Sequence, residues 1–234
     1  MPASEQDRLK KAAADAAVKL VEDGMVVGLG SGSTAALFVA ALAQRVSEER
    51  LRIVGIPTSV HTEQQARSLK IPLATFAEQP QIDLTVDGAD EIMPNGLSLI
   101  KGHGGALLRE KIVASISKRM AVIVDETKVV ERLGLLVSVP VEVVPFGWEA
   151  TERKLQTLGG NPSIRLGADK KPYVSDGGHY ILNCAFEPME NPMEIADRLD
   201  HVVGVVEHGL FLGFATEAIV ARRDGLQFLK KTSA

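Results

Sequence analysis

Short apolar, β-branched runs alternate with helix-length segments from Met25 to Val124, and this alternation constrains the fold more than any other feature of the chain. A strand that lies parallel to its predecessor needs a long crossover, and an amphipathic helix is the usual one. Met25–Leu29, Arg52–Ile56, Leu73–Phe76, Ile82–Val86, Leu97–Ile100 and Ala121–Val124 read as strands. Thr34–Val46, His61–Leu69 and Gly105–Lys118 read as helices, and Ser4 followed by Asp7 marks a capped helix running to about Val21. The predicted class is α/β, a doubly wound, mainly parallel sheet.

After Leu136 the rhythm changes. A strand over Val137–Val144, a helix over Trp148–Leu158, strands near Ser163–Leu166, Pro172–Ser175 and Tyr180–Phe186, a helix over Pro192–Leu199 capped by Asn191 and a strand over Val202–Val206 follow. With one irregular hairpin allowed, that is a βαββαβ order, so residues 137–207 are expected to form a smaller, ferredoxin-like α+β domain. Residues 1–136 and 208–234 form the first domain, with Leu210–Val220 and Leu226–Leu229 returning to it or extending its sheet.

Apolar residues make up 45% of 234 positions, enough for a sizeable core. Lys and Arg number 26 against 30 Asp and Glu, a net charge of −4 that argues against nucleic acid as a main partner. The single cysteine, Cys184, allows neither an internal disulfide nor a thiolate zinc cluster and fits a reducing cytoplasm. Met1–Lys11 is charged and has no apolar signal core. Gly24–Gln44 carries no charge, but Gly30–Thr34 interrupts it, so the stretch reads as strand, loop and helix rather than a membrane span.

Ligands of open parallel sheets bind beyond the carboxyl ends of the strands, and three loops there carry unusual chemistry. Gly28-Leu-Gly-Ser-Gly-Ser-Thr34 opens a helix; its free amides, with the hydroxyls of Ser31, Ser33 and Thr34 around Gly32, suit a phosphate. Neither the dinucleotide fingerprint nor the Walker lysine is present, and a helix simply capped by Ser or Thr is the competing reading. Asp83-Leu-Thr-Val-Asp87-Gly-Ala-Asp90-Glu91 can aim Asp87 and Asp90 into one cavity, flanking Gly88 and Ala89. An Asx turn or a magnesium site would use the same spacing.

The third loop, Lys101-Gly-His-Gly-Gly105, combines a cation with three glycines, Gly102, Gly104 and Gly105 around His103, that permit close backbone approach. In the helix that follows, Glu110 has Ala106, Leu107, Val113 and Ala114 as its neighbours at helical spacing. A carboxyl on so dry a face holds its proton tightly and approaches the range of a general base; a solvated Glu beside Arg109 and Lys111 is the alternative. Lys128 follows another strand end, where it meets either a ligand or its neighbours Asp125 and Glu126. An anion cradle, an acid pair, a lysine and an isolated glutamate together suit proton transfer on a small phosphorylated sugar, an aldose–ketose isomerisation.

The motifs Gly30-Ser-Gly-Ser-Thr-Ala35, Asp87-Gly-Ala-Asp-Glu91 and Lys101-Gly-His-Gly-Gly-Ala-Leu-Leu-Arg-Glu-Lys111, in this order, resemble the type A ribose-5-phosphate isomerases. The likeness continues through Thr58-Ser59, Pro140-Val-Glu-Val-Val-Pro145 and Leu158-Gly-Gly160 and so covers most of the chain. It implies a Rossmann-like domain with a small α+β domain, a homodimer, and interconversion of ribose 5-phosphate and ribulose 5-phosphate without metal or other cofactor. It also implies Glu110 as the base, Lys101 and the glycine-loop amides as enediolate stabilisers, Asp87 and Asp90 on sugar hydroxyls and in ring opening, and Ser31–Thr34 with Lys128 on the phosphate. His103 departs from the glycine usual there, and an exposed or internally satisfied loop histidine is the expectation. A sugar-phosphate sensor domain and a CoA-transferase-like enzyme, in which a glutamate acts as nucleophile, are the competing functions. A regulator would carry a DNA-binding module ahead of Met25, where too few residues stand for one.

Overall fold

A computed structural model describes residues 4–231. The ends of the expected first domain, residues 1–3 and 232–234, lie outside them. The elements run α1 (Glu5–Ala17), β1 (Val26–Leu29), α2 (Ser33–Glu48), β2 (Val54–Pro57), α3 (Val60–Ser68), β3 (Leu84–Asp87), β4 (Glu91–Met93), β5 (Ser98–Ile100), α4 (Leu107–Ser115) and β6 (Met120–Asp125). Then come β7 (Val139–Val143), α5 (Trp148–Thr157), β8 (Asn161–Ile164), β9 (Tyr180–Ala185), α6 (Pro192–Asp200), β10 (Val205–His208), β11 (Leu210–Phe211), β12 (Glu217–Arg222) and β13 (Gly225–Lys230).

The central sheet has six strands in the order β13-β12-β6-β3-β1-β2, parallel throughout except for the β12–β13 hairpin at one edge. Its inner strands β1, β3 and β6 are buried along their whole length because both faces are covered. Along β6 the side chains divide by the strand's period of two: Ala121 and Ile123 join the core under α1 and α2, while Met120, Val122 and Val124 join the opposite one. The predicted cap of α1 is present, with Ser4 and Asp7 exchanging both bonds of a capping box.

The four-stranded sheet runs β10-β7-β9-β8, antiparallel, the order that a βαββαβ chain takes in a ferredoxin-like arrangement. Between the two lies a small antiparallel sheet, β11-β5-β4, whose faces are shared. Leu99 and Phe211 pack toward the central sheet, and Ile100 and Leu210 join the core of the four-stranded one.

Three expectations are corrected. Leu97–Ile100 does yield a strand, but outside the parallel sheet, hairpinned to β4 through Asn95–Leu97, where Gly96 takes φ +77°. Leu73–Phe76 makes only one bridge, Leu73 with Gly55. Pro172–Ser175 also reduces to single bridges, since Pro172 has no N–H for a ladder and Val174 is exposed.

Candidate active site

The three polar loops meet at one cleft. Ser31, Gly32, Ser33 and Thr34, Gly88, Ala89 and Asp90, Lys101, Gly102 and Gly104, Glu110 and Lys128 line it. Lys10, on α1, lines it too.

Gly30 crosses the end of β3 so closely that an added Cβ would stand 2.5 Å from the Val86 carbonyl oxygen and 2.4 Å from Asp87 Oδ1, which demands glycine. The Gly30 N–H donates to Val86 O (3.0 Å) and the Ser31 N–H to Asp87 Oδ1 (3.0 Å). Gly32, at φ +91°, is the N-cap of α2 and supplies no side-chain cap, so the first-turn amides are left for a ligand. The competing reading of a Ser- or Thr-capped helix is therefore corrected. Ser31 Oγ lies among the hydroxyls of Thr58 (2.7 Å), Ser59 (2.7 Å) and Thr62 (3.2 Å), and Thr62 Oγ1 in turn donates to Gly30 O (3.0 Å). That buried hydroxyl network braces the anion-binding turn from behind.

β5 ends at Ile100, and Lys101 continues toward the cleft with its N–H on Gly209 O (2.9 Å). Its ammonium is buried, donating to Gly88 O (2.6 Å) and lying 3.0 Å from Asp87 Oδ2 and 3.4 Å from Glu110 Oε1. The Phe211 ring flanks it, with the centroid 5.6 Å away. Burial alone would lower the Lys101 pKa, but Asp87 and Glu110 outweigh it and hold the ammonium above its ordinary value.

Glu110 is 6% exposed, and its Oε2 is buried without a hydrogen-bond partner among the described residues. Burial pushes its pKa up to about 8, with the nearby Asp87 and Asp90 charges adding to the rise and Lys101 opposing it. The dry helical face anticipated this, but the cation beside it comes from another element. Asp87 is also raised by burial, against the pull of Lys101. Its carboxylate is occupied by Lys101 and by the Ser31 and Gly88 amides (3.0 and 2.7 Å), so it stands behind the cleft wall, whereas Asp90 lines the cleft itself.

His103 is exposed, and its ring turns outward to the Ser138 carbonyl (Nε2 at 2.9 Å) while its N–H donates to Asp90 Oδ2 (3.0 Å). Its imidazole is not part of the cleft lining. Lys128 forms no ion pair among the described residues: Asp125 caps Thr127, and Glu126 faces Arg222 and Arg223. Sequence reasoning missed Lys10, one of several charges on a surface helix and distinguished only by where α1 packs.

A parallel α/β sheet with an uncapped helix N-terminus, a buried ammonium and a carboxyl whose pKa is raised by burial, around one small cleft, defines an enzyme of acid–base chemistry on a phosphorylated metabolite. Residues 54–225 match the family model for ribose 5-phosphate isomerase A (phosphoriboisomerase A). The ribose-5-phosphate isomerase A of Synechococcus sp. (strain JA-3-3Ab) is 54% identical over 97% of this chain and 98% of its own. That of Gloeobacter violaceus is also 54% identical, over the same shares. The solved ribose 5-phosphate isomerase A of Methanocaldococcus jannaschii superposes with a TM-score of 0.93 at 41% identity, covering 97% of this chain and 100% of that one. A D-ribose-5-phosphate isomerase solved in complex with phospho-erythronic acid gives 0.94 at 37% identity, with the same coverage. The chain belongs to the ribose 5-phosphate isomerase A family.

Proposed function

We propose that this chain interconverts D-ribose 5-phosphate and D-ribulose 5-phosphate, with Glu110 carrying the proton between C2 and C1. The observation that carries the assignment is Glu110 itself, a buried carboxyl with a pKa of about 8 and one unpartnered oxygen, on the same cleft as the free amides of α2.

In the open-chain aldose, the Glu110 carboxylate takes the C2 proton. The C–H electron pair forms the C1–C2 double bond, and the carbonyl oxygen on C1 becomes an oxyanion. The Lys101 ammonium and the Gly104 amide of the glycine turn stabilise that charge. The O2 proton passes to O1 as Glu110 returns its own proton to C1, leaving the ketone at C2. Asp90 faces the sugar hydroxyls and assists ring opening, and Asp87 holds Lys101 and the Ser31 turn. The phosphate sits on the α2 amides with Ser33 and Thr34, between Lys10 and Lys128.

No metal or other cofactor takes part in this scheme, because Lys101 already supplies the cation at Asp87. The working form is a cytoplasmic homodimer, in which residues 137–207 form the small domain. The direct test is conversion of ribose 5-phosphate by the purified protein; absence of turnover would overturn the assignment.

A further inference from the structure

We propose that Arg165 is a positioning residue for this reaction, aiming the Gly104 amide at the oxygen that becomes negative; the inference rests on the isomerase reading above. Arg165 follows β8 and belongs to the four-stranded sheet side, remote in sequence from every loop of the cleft. Its Nη1 donates to Gly102 O (3.1 Å) and His103 O (3.0 Å), while Nη2 donates to Asn183 Oδ1 (2.6 Å) on β9. The Tyr173 ring lies beside the guanidinium, 5.9 Å from its carbon to the centroid. Tyr173 also backs the turn so tightly that a Cβ on Gly105 would stand 2.3 Å from its hydroxyl.

The turn has one bond of its own, Gly105 N–H to Gly102 O (3.0 Å), and its glycines, with Gly102 and Gly105 at φ of +103° and +85° and Gly104 between them, add little further stiffness. It is held by pinned peptide planes. The Gly102–His103 peptide is fixed at both ends, its oxygen on Arg165 and its N–H on Asp90 Oδ2. The next peptide has its oxygen on Arg165, and its N–H belongs to Gly104, which lines the cleft and has no acceptor among the described residues. A trans peptide points its C=O and N–H in opposite directions, so anchoring the one aims the other. A cation on the carbonyl also polarises the amide and makes its N–H the stronger donor. An oxyanion donor is worth most when it is aligned before the charge appears. Arg165 thus acts through the turn without touching the substrate.

The test compares R165M and R165K with the wild type in kcat and KM for ribose 5-phosphate, and by calorimetry in affinity for phospho-erythronic acid and for inorganic phosphate. The carboxylate of the first ligand places negative charge where the enediolate oxygens form; the second reports the phosphate subsite alone. For R165M, kcat should fall at least about tenfold with KM within about threefold. Affinity for phospho-erythronic acid should fall with kcat while that for phosphate stays, and R165K, able to reach one carbonyl, should recover part of both. Wild-type kcat in R165M overturns the role, as does an equal loss of phosphate affinity, or R165K no better than R165M with both tracking a lowered Tm. If R165M does not fold, R165K and N183A decide by the same split between kcat and phosphate affinity. Wild-type protein without turnover would sink the isomerase reading, whereas wild-type turnover with an unimpaired R165M sinks only this one.

Discussion

Glu110→Gln keeps the shape of the side chain and removes its charge and its titration. Folding raises this carboxyl from 4.5 to about 8. At about 1.4 kcal/mol per pH unit, a displacement of roughly 3.5 pH units amounts to about 5 kcal/mol of linkage. The sign follows from proton uptake: the folded protein binds this proton more tightly than the unfolded chain does. The stabilisation is complete below about pH 4.5 and is lost as pH rises through about 8. E110Q has no proton to lose there, so its stability relative to wild type should climb across that window. With side-chain relaxation and water entry lowering the ceiling, the climb should be at least about 2 kcal/mol. Urea unfolding followed by circular dichroism at several pH values from 5 to 9 reads it directly. The same variant should lose about 10³-fold in kcat with KM within severalfold, because it removes a proton-transfer step rather than a binding contact. In the wild type, kcat/KM should rise with an apparent pKa near 8. Parallel stability curves, or a variant retaining a tenth of the turnover, would refute the reasoning.

Lys10→Ala and Lys128→Ala should each raise KM about tenfold with kcat nearly unchanged, since the phosphate is held alike in ground and transition states; steady-state kinetics separates the two constants. Activity should survive dialysis against EDTA, and a loss restored by magnesium would instead place a cation at Asp87 and Asp90. Glu91→Gln should cost about 2–3 kcal/mol in urea unfolding, because the buried carboxylate accepts the N–H groups of Gly134 (2.6 Å), Leu136 and Val137 (2.9 Å), and an amide leaves one of them facing its own NH₂. Unchanged stability would show that this loop is held by other contacts.

Much of this architecture was legible along the chain because its signals are local. Apolar runs buried on both faces, glycines after strands and the Ser4–Asp7 cap each depend on neighbours a few positions away. The dry face of α4 around Glu110 was visible in the same way. β4 was not, because Glu91-Ile-Met93 is too short to show a period and its partner lies across the Asn95–Leu97 turn.

Most of the residues that line the cleft could be named from loop composition, since only a few side chains can cradle an anion or move a proton. Their relations could not. That Lys101 is shared between Asp87 and Glu110, that Lys10 reaches the cleft, and that Arg165 pins the glycine turn are consequences of packing three sheets together. Charge interactions and burial act through space, with strengths set by distance and by exclusion of water, and neither is written in the spacing of residues along one chain.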